Sequence, residues 1–148
     1  MKNAETLTVL KANHRVIGIN LKDLTHEESL ISPANGGSSI NWILGHIIVS
    51  RDGMAEILGI DRISDDNLIN LYKRGTQNIS DDNAVKLETL LNLFNNSQAK
   101  IEEKASNTDF SNDVEKLKSL TFLAFHEAYH CGQTGLLRRI IGKEGAIK

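Results

Sequence analysis

The sequence has a single cysteine, Cys131, a single proline, Pro33, and no uninterrupted apolar run longer than Phe122 to Phe125. One thiol excludes an intramolecular disulfide, so the fold must be held by its core and suits a reducing compartment. Apolar runs this short exclude a membrane-spanning helix, which needs roughly 20 apolar residues. Met1 to Lys11 mixes charges with apolar residues and has no small-residue cleavage site. No secretory signal is expected there, and the cytoplasm is the simplest location. An excess of one charge is also missing: 17 Lys and Arg stand against 19 Asp and Glu, for a net charge of −2. These cations are scattered and not interleaved with stacking aromatics, which predicts no nucleic-acid partner.

What is present is an ordinary globular composition, 40% hydrophobic over 148 residues, the size of one domain spanning 1–148. Apolar residues recur at steps of three and four, the period of helices. The class expected is all-α, an antiparallel four-helix bundle with a short extra helix or long loop between the second and third long helices.

A first helix over about 4–24 carries Leu7, Leu10, His14, Ile17, Leu21 and Leu24 on one strip. Pro33, Asn35, Gly36 and Gly37 then turn the chain within 25–38. The second helix, about 39–58, has Ser38 or Ser39 as its cap, Ile40, Ile43, Leu44, Ile47, Met54 and Leu58 as its packing face, and Gly59 as its stop. Ser64, Asp65 and Asp66 predict a short capped helix through about Tyr72. The third long helix is expected to open at Ser80, with Asp81 and Asp82 in its first turn and Leu87, Leu90, Leu91, Phe94, Ile101 and Ala105 facing inward. The fourth, about 114–141, ends on Arg138, Arg139 and Gly142.

That last helix is apolar on more than one side. Ala124, Ala128, Cys131 and Gly135 permit close approach of a neighbouring helix, whereas Phe122, Phe125, Tyr129, Leu136 and Ile140 form a separate stripe. The stripe needs its own cover, from the bundle or from a second copy, and we expect a homodimer.

His126 and His130 are four residues apart on a helix, so both imidazoles leave one face a turn apart. With Leu123 and Leu137 they lie on a core-directed stripe. Two adjacent imidazoles in a core need partners; hydrogen-bond donors can serve, and a divalent ion satisfies both together. A third ligand would come from a facing helix. His46, in the middle of the second helix, is the candidate, although an isolated core histidine there could equally be satisfied by hydrogen bonds. His14, also on a seam, either approaches the same cavity or, the favoured reading, hydrogen-bonds within the core; His26 is read as a solvated loop residue, and Cys131, about 100° round the helix from His130, as packing.

His126-Glu127-Ala128-Tyr129-His130 also matches H-E-x-x-H, in which Glu acts as general base of a metalloprotease. The metzincin continuation requires Gly at 133 and His at 136, where Gln133 and Leu136 stand, and no segment reads as a sheet. A protease is not expected.

Ser39-Ile40-Asn41-Trp42-Ile43-Leu44-Gly45-His46, together with His126-Glu127-Ala128-Tyr129-His130-Cys131-Gly132-Gln133 and Leu136-Leu137-Arg138-Arg139, resembles the DinB/YfiT-like superfamily of metal-binding four-helix bundles over nearly the whole chain. The resemblance implies a three-histidine site for a divalent metal ion, zinc or nickel, carried by His46, His126 and His130, and commonly a dimer. It implies less about activity, since members include bacillithiol- and mycothiol-dependent S-transferases, a thiol-dependent isomerase, hydrolases and proteins without a known reaction.

Three neutral imidazoles leave a coordination position open, as catalytic zinc sites do. The leading expectation is a metal-dependent thiol S-transferase acting on a small electrophile, with Gln133, one turn beyond His130, touching substrate or supporting a ligand. The alternatives are a hydrolase using metal-bound hydroxide, with Glu127 as base if its side chain reaches the cavity, and a non-enzymatic metal or small-molecule binding protein.

Overall fold

In the computed structural model, residues 3–76 and 79–147 are described. They form six helices and, among the described residues, no strand: α1 (Ala4–Leu21), α2 (His26–Ser29), α3 (Ile40–Leu58), α4 (Asp66–Tyr72), α5 (Leu87–Ser106) and α6 (Val114–Ile140). The four long ones pack as a bundle. None is long and apolar enough to cross a membrane.

Two core clusters reveal the direction of each helix. Ile17, Leu21, Ile40, Ile43, Leu44, Leu87, Leu90 and Leu137 meet at one end; Leu10, Met54, Leu58, Ile101, Ala105 and Leu120 meet at the other. The C-terminal halves of α1 and α6 therefore lie beside the N-terminal halves of α3 and α5, and the order is up, down, down, up. Helix α3 is antiparallel to α1 and α6, while α3 and α5 run parallel, as do α1 and α6. The links carry this order: the segment holding α2 reverses the chain between α1 and α3, a short link reverses it between α5 and α6, and the longest connection, between α3 and α5, returns it along the bundle. Helix α4 rides on that return path, and its Leu68 and Tyr72 enter the first cluster.

Local chemistry sets most boundaries. Ser39 accepts a hydrogen bond from the Trp42 amide to start α3, and Gly59 closes it in the left-handed conformation (φ 66°). Asp65, rather than Ser64, caps α4 through the Leu68 amide, and Asp113 caps α6 through Lys116. The small face of α6 meets α1: a Cβ on Gly135 would stand 3.3 Å from the Asn20 amide. That amide donates to the Thr134 hydroxyl, and the Asn13 amide donates to the Ala124 carbonyl.

Four expectations are corrected. Helix α1 stops at Leu21, because Lys22 turns to ψ 135° and Asp23 adopts φ 60°. The segment after it is not wholly turn: Thr25 and Glu28 form a reciprocal capping box that starts α2. His26 is not a solvated loop residue; its side chain is 11% exposed, its Nδ1 accepts from the Leu87 amide, and its Nε2 lies 3.5 Å from Asp81. The third long helix begins at Leu87, not Ser80, for a tertiary reason. The Val85 amide donates to the Tyr72 hydroxyl and the Val85 carbonyl accepts from the Asn41 amide, so neither group is free for a helix there. Ser80 and Asn83 close a separate turn.

Tyr72 fixes α4 against α3. Its hydroxyl also donates to Asn41 Oδ1 (2.8 Å), and its ring lies flat against Gly45, where a Cβ would come within 2.3 Å of ring carbon. A methyl group cannot fit without moving a fully buried ring. Gly45→Ala should destabilise the protein by about 1–3 kcal/mol despite the better helix propensity of alanine, read as a lower urea midpoint.

Candidate metal centre

His46 leaves the buried face of α3, and His126 and His130 leave α6 one turn apart, at the end of the bundle where α4 returns. The three rings converge. One ring nitrogen of each lies within 4.8 Å of the other two, and the ring centroids are 5.3 Å (46 to 126), 5.0 Å (46 to 130) and 4.5 Å (126 to 130) apart. His46 and His130 are buried and His126 is half-buried.

The neighbours orient these rings. His46 Nδ1 donates to the Tyr72 carbonyl (2.9 Å), and His130 Nδ1 donates to Gln133 Oε1 (2.7 Å). In a neutral imidazole one nitrogen bears the proton, so both bonds leave Nε2 unprotonated and able to accept. His130 Nε2 accepts from His126 Nε2 at 3.1 Å. Two zinc–nitrogen bonds of 2.0–2.1 Å meeting at a tetrahedral angle hold their nitrogens about 3.4 Å apart. The donor set thus fits a divalent ion: nitrogen only, neutral, and with outward hydrogen bonds of the kind that fix ligating histidines. Trp42 stacks on His46 at 4.7 Å and 10°, and its Nε1 donates to the Thr76 hydroxyl. Tyr129 packs edge-on against His130 at 5.1 Å.

Burial lowers the pKa of all three histidines and takes His130 down to about 4. They are neutral near pH 7, as metal ligands must be. The linkage has a definite sign. Between pH 6.5 and about 4, the unfolded chain binds a proton at His130 that the folded chain refuses, so stability falls as pH falls. Each such histidine contributes a slope of up to about 1.4 kcal/mol per pH unit in its window. Metal-free protein should therefore lose its urea midpoint steeply below pH 6.5, and a loaded site should show the same loss more sharply as protons displace the ion.

Glu127 does not reach this cluster. Both its oxygens accept from Arg51, Nε to Oε2 and Nη2 to Oε1, each at 2.9 Å, and the pair is fully enclosed. Arg51 spends its remaining N–H groups on the Phe94 carbonyl, Ser97 Oγ and Gln98 Oε1, all at 2.7 Å, and its guanidinium lies 4.2 Å over the Phe94 ring. The condition for Glu127 as a base is not met. Gln133, by contrast, touches His130 directly. Arg51 was not singled out from the sequence; an arginine inside an apolar helical face is the signal that could have found it.

His14 stays outside the cluster, stacked on Phe94 at 4.5 Å with its Nδ1 buried and without a hydrogen bond. Cys131 is core packing, and burial pushes its thiol up to about 11.

No curated protein and no solved structure matches this chain. A family model, that of the DinB family, matches residues 1–147. With an all-helical bundle, a buried histidine triad able to hold a metal ion, and that match along its length, the chain belongs to the DinB family.

Proposed function

We propose that His46, His126 and His130 hold one divalent ion, zinc or nickel, and that the protein is a thiol S-transferase acting on small electrophiles. One observation carries the choice of reaction: the carboxylate of H-E-x-x-H is locked on Arg51, so that motif offers the triad no base, and no other acid joins the cluster among the described residues. Hydrolysis asks for a group that takes the proton of water, whereas a thiol ionises far more readily. A divalent ion held by the triad supplies Lewis acidity, lowering the pKa of a thiol that reaches it. The Tyr72 carbonyl and Gln133 keep the rings aimed, and Trp42 and Tyr129 wall the approach with aromatic surface. The cytoplasm, where small thiols stay reduced, suits this chemistry and the solitary Cys131.

Metal-loaded protein incubated with bacillithiol and a model electrophile should form the conjugate faster than His130→Ala protein, followed by loss of free thiol. Equal rates across several thiols and electrophiles would discard the transferase, and turnover in an ester or amide screen would favour hydrolysis. A binding protein without turnover is the remaining outcome. Elemental analysis identifies the ion.

We also read the chain as a homodimer within a single domain over 1–148. Phe122, Phe125, Tyr129, Leu136 and Ile140 are 48–66% exposed in one α6 stripe that no element of the bundle covers. Sedimentation should give twice the 16.4 kDa chain mass, and Phe125→Glu should return it to one.

A further inference from the structure

The segment after α4 is tied to α3 at two points beside the histidine cluster. The Tyr72 carbonyl takes the His46 Nδ1 proton at one end, and the Thr76 hydroxyl takes the Trp42 Nε1 proton at the other. Thr76 is itself held, donating toward the Leu71 and Lys73 carbonyls. Between these anchors stands Arg74, two residues from each, so its Cα is within about 7.6 Å of both anchoring Cα atoms. Gly75, at φ 91°, makes the turn that lets the chain come back to Thr76. Arg74 is exposed and has no hydrogen bond or ion pair among the described residues. Burial is the main cause of the lowered pKa of His46 and His126, and the Arg74 charge adds to it in the same direction.

Among the described residues, the one carboxylate whose charge acts on the three rings is Glu127, and it is paired with Arg51 between α3 and α6. Three neutral imidazoles leave both charges of a bound divalent ion uncompensated, and Arg74 adds a third beside them. A ligand entering there gains most when it carries two negative groups, one for the triad and one for the guanidinium.

We propose that Arg74, held beside His46 by the Tyr72 and Thr76 anchors, is a specificity-determining residue that binds a second anionic group, a carboxylate or phosphate, of the small ligand reaching His46, His126 and His130. This rests on the triad holding a metal ion, as argued under Proposed function, but not on the reaction being S-transfer. The anchors position Arg74 without engaging it, which leaves all five of its N–H donors for the ligand.

The test compares ligands of one shape with and without the second charge on cobalt-loaded full-length protein: succinate against succinamate, and 3-mercaptopropionate against 3-mercaptopropionamide. Binding is read from the cobalt absorption spectrum and from Trp42 fluorescence. Wild type should prefer each charged member by about three- to fivefold more than R74Q does, the size expected for a solvent-facing ion pair. R74K should recover part of that difference, added salt should shrink it, and all three proteins should take up cobalt equally. A charged-ligand preference unchanged in R74Q overturns the proposal. Should neither thiol bind while succinate still discriminates, S-transfer falls and the role of Arg74 stands. Failure to take up cobalt removes the triad reading and this inference with it.

Discussion

Replacing Arg51 by methionine should lower stability by about 3–5 kcal/mol, the loss expected when one member of a buried ion pair is removed and the other is stranded. The structure explains why the effect is at the upper end. Arg51 is completely buried, and its five N–H groups satisfy the Glu127 carboxylate, the Phe94 carbonyl, Ser97 and Gln98, so a single truncation orphans acceptors on two helices. A domain of this size has about 5–15 kcal/mol in total, so R51M should forfeit a large share of it. Urea unfolding followed by circular dichroism measures the loss. The double substitution R51M/E127L removes both charges and should be substantially more stable than the sum of its single variants. Additive losses would mean the pair does not couple α3 to α6. A second readout separates packing from positioning: E127Q keeps the shape, and if the pair sets the rotation of α6, metal affinity should fall even where the protein is folded.

The second large effect is on the metal. His130→Ala should weaken divalent-ion affinity by well over about 100-fold, beyond the 10–100-fold typical of losing a group that merely supports a ligand, which is the size expected for Gln133→Ala. In the proposed site His130 is one of three donors, and its Nε2 lies 3.1 Å from that of His126. Competition against a chromophoric chelator gives the affinity. The protein carries a single tryptophan, and it is stacked on His46, so quenching by nickel or copper reports occupancy at the site itself. His14→Ala should leave affinity within about threefold of wild type, because His14 faces Phe94 and not the cluster. An equal loss in the His14 and His130 variants would show that the ion sits elsewhere.

Much of the scaffold was legible locally. The three-and-four spacing of apolar residues located the long helices, and Ser39, Gly59 and Asp113 acted where such residues ordinarily act. Helix α2 is also written in the sequence, as Thr25 followed three residues later by Glu28, although Pro33 and the paired glycines nearby carry the stronger turn signal. The start of α5 was not legible. Ser80, Asp81 and Asp82 have the chemistry of a helix start, and it is overruled by Asn41 and Tyr72, which take both backbone groups of Val85 from a distance. His26 fails for the same reason, since its partner is the amide that begins α5.

The site divides along the same line. That His126 and His130 share a face follows from helix pitch alone, and that Glu127 points elsewhere is already implied by its place one residue on, about 100° round. By itself the sequence determined the helices, their apolar faces and the paired imidazoles, because each depends on residues within a turn or two of one another. Only the tertiary structure decided that α3 faces α6, that His46 completes the cluster, that α3 and α5 run parallel, and that Glu127 binds an arginine 76 residues away. Those contacts depend on which apolar faces bury each other and on the length of the return path through α4, which no local spacing encodes.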